Sequence, residues 1–158
     1  MLKRCLLAAV LAFGVVTGAG ALSIGAGLTF EASGDEVRFS QVGLGAGLFF
    51  DLTFVELTAG IMTGNLTFTV LGKLPFFLGW GDVFPLLGVG YNMVFIGDDR
   101  DWALHTPRIM FGAGVDVDLT RAIFVRASVL GSYRFPPSWR YSRGGFGVTI
   151  NAGMGFRL

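Results

Sequence analysis

The chain has 158 residues, 53% of them hydrophobic, with 25 glycines, 16 phenylalanines, one histidine and one cysteine. A formal charge of +1 gives no basic footprint for nucleic acid, and the lone Cys5 excludes an intrachain disulfide or a cysteine-built metal site. Mean hydropathy is +0.65, yet beyond residue 21 no uncharged run reaches the ~18 apolar residues that a spanning helix needs.

The N-terminus reads Met1-Leu2-Lys3-Arg4, an apolar run from Leu6 to Val16, then Ala19-Gly20-Ala21. A basic start, an apolar centre and a small-residue end predict a secretory signal peptide over residues 1–21, cleaved after Ala21. Glycines at 14, 18 and 20 disfavour a retained membrane helix. Cys5 precedes the apolar run rather than ending it, so it is misplaced for lipoprotein acylation. The mature chain, 22–158, then keeps ten of the twelve basic residues against eleven acidic ones, a formal charge of −1.

That mature chain divides into eight segments of about ten residues in which apolar side chains alternate with small or polar ones, the period of a β-strand. The first, 22–31, sets Ile24, Ala26, Leu28 and Phe30 against Gly25, Gly27, Thr29 and Glu31. The second, 41–50, sets Val42, Leu44, Ala46, Leu48 and Phe50 against Gly43, Gly45 and Gly47. The third, 53–62, alternates Val55, Leu57, Ala59 and Ile61 with Phe54, Glu56, Thr58 and Gly60. The fourth, 66–78, alternates Leu66, Phe68, Val70 and Leu74 with Thr67, Thr69, Leu71 and Lys73.

In the fifth, 83–96, both parities are apolar; Gly88, Gly90 and Asn92 suit an interior, which sends Val89, Tyr91, Met93 and Phe95 outward. The sixth opposes Ile109, Phe111, Ala113, Val115 and Val117 to Arg108, Gly112, Gly114 and Asp116. The seventh opposes Ile123, Val125, Ala127, Val129 and Tyr133 to Arg126, Ser128, Ser132 and Arg134. The eighth runs to the C-terminus, with Phe146, Val148, Ile150, Ala152, Met154, Phe156 and Leu158 on one face and Gly147, Thr149, Asn151, Gly153, Gly155 and Arg157 on the other.

Links at Asp51-Leu52, Gly79 to Asp82 and Leu119 to Arg121 are short, whereas Ala32 to Ser40, Gly97 to His105 and Pro136 to Gly144 are longer. Aromatic residues gather near both ends: Phe50, Phe54, Phe76, Trp80, Phe84, Phe124 and Phe156 near the short turns, and Phe30, Phe39, Phe95, Trp102, Tyr133, Phe135 and Trp139 near the loops. A soluble sandwich would expose polar outer faces, but here the charges fall in loops or on the glycine-rich parity. The pattern predicts an all-β fold, an eight-stranded antiparallel up-and-down transmembrane β-barrel with interfacial aromatic girdles and both termini periplasmic.

With these segments in place, the mature chain resembles the small eight-stranded bacterial outer-membrane barrels, the group of OmpA transmembrane domains, OmpX and OmpW-like proteins. The terminal Gly153-Met154-Gly155-Phe156-Arg157-Leu158 is similar to the C-terminal signal read by the barrel assembly machinery, although leucine is last and phenylalanine stands two residues earlier. The resemblance implies the outer membrane, its lipids and that machinery as surroundings, with Phe156 and Leu158 as the assembly signal and a monomeric state.

Inward parity collects Glu31, Glu56, Asp116 and Asp118 with Lys73, Arg108, Arg126, Arg134 and Arg157. A Gly64-Asn65 turn pairing Thr63 with Leu66 places Glu56 opposite Lys73, and the turn after Leu119 brings Asp116 beside Arg126. Buried charges need partners, so a network closing the lumen is the structural reading; a narrow, porin-like passage for small solutes is the functional one. The inward glycines either leave room for solute or relieve crowding where strands bend.

An outer-membrane lipid hydrolase or acyltransferase would need a nucleophile and a base. His105, Ser128, Ser132, Ser142 and Asp98-Asp99-Arg100-Asp101 show no spacing that assembles a triad. The acidic run lacks the glycine and the ligand spacing of a calcium loop. The expectation is a barrel that is not an enzyme, without cofactor or metal. A surface-interaction role rests on the loop Pro136-Pro137-Ser138-Trp139-Arg140-Tyr141-Ser142-Arg143, rich in arginine and aromatic side chains.

Overall fold

The computed structural model describes residues 22–35, 38–63, 65–95, 103–135 and 144–158. The expected signal peptide over residues 1–21 lies outside them. So do Asp98 to Asp101, Trp102, and residues 136–143, which include Trp139 and Ser142; the side chains of Phe39, Phe95 and His105 also lie outside the description.

Among the described residues nine strands form one sheet: β1 (Leu22–Asp35), β2 (Arg38–Leu52), β3 (Val55–Met62), β4 (Asn65–Lys73), β5 (Phe76–Leu78), β6 (Gly81–Phe95), β7 (Ala103–Asp118), β8 (Ile123–Arg134) and β9 (Gly145–Arg157). Every pairing is antiparallel, and the pairings of β1 with β9 and of β4 with β6 close the sheet on itself. β4 and β5 meet β6 in a single register, Lys73 opposite Leu86 and Phe76 opposite Val83. They are one stave interrupted at Pro75, which has no N–H to give to the ladder. The result is an eight-stranded closed barrel.

The alternation read from the sequence sets the two faces. Leu28, Val42, Leu44, Ile61, Leu87 and Phe111 are each 59–70% exposed on the outer wall, while Glu31, Glu56, Lys73, Asn92, Arg108, Asp116 and Arg126 are buried in the lumen. In the ambiguous fifth segment Val89 and Tyr91 do point outward and Gly90 and Asn92 inward. An apolar exterior around a polar interior inverts a soluble protein and suits lipid as the outer solvent.

Three local expectations are corrected. In the β3–β4 hairpin Met62 stands opposite Asn65 and Ile61 opposite Leu66, so Asn65 is a strand residue, while Gly64 lies outside the described residues. Glu56 therefore faces Leu71 rather than Lys73. The slip is of two residues, so faces survive while partners change. Asp51 and Leu52 are strand residues paired with Glu56 and Val55, and the turn is Thr53-Phe54, with Thr53 in the left-handed region at φ 45°. Most of the expected loop from Ala32 to Ser40 is strand, extending β1 and β2 past a bulge at Ser33/Gly34.

Four glycines form a continuous lateral row on the inner wall: Gly153, Gly27, Gly47 and Gly60 are successive partners across β9, β1, β2 and β3. A Cβ on Gly27 would lie 2.6 Å from the Ala152 carbonyl oxygen, and one on Gly153 would lie 2.6 Å from that of Ala26. Neighbouring backbone comes too close at Gly27 and Gly153 to admit a side chain. The opposite wall is filled by Leu71, Phe84, Leu86, Met110 and Leu130, an apolar cluster with each residue at most 2% exposed.

A candidate functional site in the lumen

Near the turn end all eight staves contribute to one layer across the lumen. β2 brings Phe49 and Asp51, β3 Glu56, the end of β4 Lys73, β6 Phe84, β7 Asp116 and β8 Phe124 and Arg126, while β1 and β9 contribute Gly25 and Gly155. Phe84 and Phe124, expected in the aromatic girdle, are fully buried here. The girdle at this end consists of Phe50, Phe54, Phe76, Trp80 and Phe156, each 42–55% exposed. Of the expected loop-end girdle, Phe30 and Phe135 are 39–40% exposed, and Tyr133 packs on Phe135 and Phe146 with ring centroids 5.4 and 5.1 Å apart.

The three inward phenylalanines fit because each has a glycine directly across the ladder: Phe49 opposite Gly25, Phe84 opposite Gly114, Phe124 opposite Gly155. A Cβ on these glycines would come within 2.1, 2.3 and 2.4 Å of the respective ring. Each ring occupies the space its partner leaves open. Phe49 and Phe124 also approach each other, with centroids 6.1 Å apart.

Arg126 is the centre of the layer. Its Nε donates to Asp116 Oδ1 at 2.6 Å and its Nη2 to Asp116 Oδ2 at 2.5 Å, a bidentate pair across the β7–β8 ladder. Nη1 donates to Glu56 Oε2 at 2.7 Å, and Nη2 also bonds Asp51. The guanidinium lies 4.5, 5.2 and 5.3 Å from the ring centroids of Phe49, Phe84 and Phe124. Lys73 donates to Asp51, stands 3.9 Å from Asp116 and sits 4.3 Å over Phe84. A planar fork with several donors and a delocalised charge suits this mixture of carboxylates and ring faces.

A second station lies toward the loop end, where Arg108 Nη1 donates to Glu31 Oε2 at 2.7 Å and Thr149 Oγ1 reaches the same oxygen at 3.4 Å. Arg134 stands directly opposite Arg108, half-buried, and makes no ion pair among the described residues. At the turn rim Arg157 pairs with Asp118 at 2.6 Å and Asp82 at 3.3 Å. The lumenal charges predicted from sequence thus divide into Glu56, Lys73, Asp116 and Arg126 in the layer and Glu31 with Arg108 above it.

Sequence reasoning missed Asp51 and Asp82, taken as turn residues, and the inward role of the three phenylalanines. Parity carried the signal: Phe49 and Asp51 continue the inward series of Gly43, Gly45 and Gly47, and Asp82, Phe84 and Leu86 continue that of Gly88.

Two spaces flank the layer. Toward the loops a cavity of about 60 Å³ runs between the glycine row and the hydroxyls of Thr58, Thr67, Thr69, Ser128 and Thr149, room for a few water molecules. Toward the turns a wider vestibule of about 370 Å³ opens at the barrel end. Ser128 accepts from Asn151 Nδ2 at 3.1 Å and Ser132 donates to the Gly147 carbonyl at 3.5 Å, so both serines serve the lumen wall. Phe156 and Leu158 face outward at the turn end, and the Leu158 N–H donates to the Leu22 carbonyl at 2.8 Å.

No family model matches the chain, and no curated protein matches it in sequence. Solved structures do match in fold. The outer membrane protein OprG from Pseudomonas aeruginosa aligns with a TM-score of 0.60 at 15% identity, over 89% of this chain and 96% of that one. Neisserial surface protein A aligns with a TM-score of 0.64 at 8% identity, over 87% and 97%. Ail, the attachment invasion locus protein of Yersinia pestis, solved with the heparin analogue sucrose octasulfate, aligns with a TM-score of 0.56 at 13% identity, over 88% and 99%. In fold, the chain is similar to these small outer-membrane β-barrels.

Proposed function

We propose that the mature protein is an integral barrel of the bacterial outer membrane, with its turn end and both termini periplasmic, and that its lumen is shut at rest by the Arg126 layer. The observation that carries this is a single buried layer to which six staves give rings and ion pairs and the other two, β1 and β9, give the glycines that make room for them. Outer-membrane lipids cover the apolar wall, and the barrel assembly machinery inserts the chain through the Phe156–Leu158 end. The barrel works as a monomer.

A second reading, a narrow passive channel for small solutes, is favoured by the spaces on both sides of the layer. Passage then requires Arg126 and Lys73 to leave their carboxylates. Planar-bilayer conductance decides between the two, with heat-modified gel mobility as the folding control. A shut barrel is silent as wild type and conducts in Lys73→Met. Frequent discrete openings of the wild type would replace the shut-barrel reading with the channel. A silent, folded Lys73→Met barrel would remove the channel and leave a structural or surface-interaction role.

A further inference from the structure

At the turn end the closed sheet leaves one strand edge unpaired among the described residues. β5 bonds β6 on one side and stands last in the sheet order on the other. The stave to which it belongs outruns its neighbour. β2 and β3 turn back at Thr53-Phe54, and the bond from the Lys73 N–H to the Phe54 carbonyl, at 2.8 Å, is the last between the two staves. Leu74 to Leu78 then run on below that turn with one edge free, about 16 Å of strand at about 3.3 Å per residue.

The register says which groups are free. Along an antiparallel ladder, pairs that exchange backbone bonds alternate with pairs that do not. On β6 the Trp80 carbonyl accepts from Asp118 and the Pro85 carbonyl from Leu74. Gly81 and Val83 therefore bond Leu78 and Phe76, while Phe77, opposite Asp82, turns its N–H and carbonyl to the free edge. Pro75 adds a carbonyl but no N–H. Phe76, Phe77 and Leu78 are 55, 75 and 46% exposed, and none carries a charge to repel a partner strand. Phe76 and Leu78 continue the outer wall, whereas Phe77 shares the vestibule face with Asp82.

Hydrocarbon offers these backbone groups no hydrogen bond, so the free edge lies on the aqueous side of the bilayer core. A second upright barrel cannot reach it, because the place beside β5 is directly beneath β2 and β3 and the second wall would overlap theirs. A single strand fits there. We infer that β5 is a docking edge for an extended peptide segment of a periplasmic partner, which adds to the sheet below β3. The alternation of the edge sets the chemistry of that segment. Residues beside Phe76 and Leu78 are apolar, and the residue beside Phe77 is basic, because its face looks on Asp82 and Asp118, two carboxylates that share Arg157. The side chains of these acids are 16% and 36% exposed.

The inference goes beyond the shut-barrel reading and is tested apart from it, since binding in detergent depends on neither conduction nor insertion. The protein is purified from outer membranes in zwitterionic detergent and titrated into a fluorescently labelled, end-capped Ile-Lys-Ile-Lys-Ile peptide, followed by anisotropy. Two control peptides are Ile-Glu-Ile-Glu-Ile and the lysine peptide with every backbone nitrogen methylated. Saturable binding of the lysine peptide is expected, with the glutamate peptide about tenfold weaker and the methylated one silent. Phe77→Pro removes the edge N–H but no bond to β6 and should abolish binding, whereas Phe77→Ala keeps the N–H and should only weaken it. Absence of saturation, equal binding of the methylated peptide, or unchanged affinity in Phe77→Pro at unchanged heat-modified mobility would each overturn the docking edge. Equal binding of the glutamate peptide would overturn the basic partner. Should Phe77→Pro fail to fold, the methylated peptide against the wild type decides the matter.

Discussion

Replacing Arg126 by methionine tests the central layer most directly. The change keeps an unbranched side chain among Phe49, Phe84 and Phe124 but removes the cation bonded to Asp51, Glu56 and Asp116. At an effective dielectric of about 20, a charge pair roughly 4 Å apart gains about 4 kcal/mol. Three such pairs are gross attraction, and much of it is offset by the desolvation of ions that are 2–4% exposed. What remains on truncation is the cost of leaving carboxylates buried with Lys73 alone, about 3–5 kcal/mol, with about another 1 kcal/mol from the lost ring contacts.

Urea unfolding in detergent, followed by tryptophan fluorescence, should show that loss as a lower midpoint at unchanged slope. Adding Glu56→Gln to Arg126→Met should recover part of it, because one buried charge is then removed. The corresponding cycle between Glu56 and Lys73, which are not bonded to each other, should show the smaller coupling. An Arg126→Met loss below about 1 kcal/mol, in the range of surface pairs, would refute the layer as a stabilising network.

Three further perturbations address the wall and its turns. Gly114→Ala puts a methyl group 2.3 Å from the Phe84 ring and should cost about 1–3 kcal/mol by overpacking; Phe84→Leu in the same chain should return part of that in the same urea assay. Thr53→Gly relieves a left-handed non-glycine residue in the β2–β3 turn and should stabilise the barrel by roughly 1 kcal/mol, read as a higher urea midpoint. Leu28→Arg places a charge on the outer wall where the leucine is 69% exposed; refolding into lipid vesicles should be less favourable by about 2–4 kcal/mol, whereas a soluble protein would tolerate the change.

By itself, the sequence determined which side of each strand faces in. The strand period is two, and lipid outside with charge inside leaves one consistent parity for each segment. Leu28, Ile61 and Phe111 were legible as outer-wall residues, and Glu31, Arg108 and Arg126 as lumenal ones, without any knowledge of partners. Even the ambiguous fifth segment resolved through Gly90 and Asn92.

Partners were a different matter. Opposition depends on where each turn closes, and the two-residue slip of the β3–β4 hairpin moved Glu56 from Lys73 to Leu71 while leaving every face unchanged. Only closure of the barrel decided that Glu56 meets Arg126, a residue 70 positions away, because side chains from distant staves converge on one axis. The same convergence turned Phe84 and Phe124 from girdle residues into the lumen layer. Alternation along a strand is local and can be read in one dimension, whereas the filling of an enclosed space is settled by all eight staves at once.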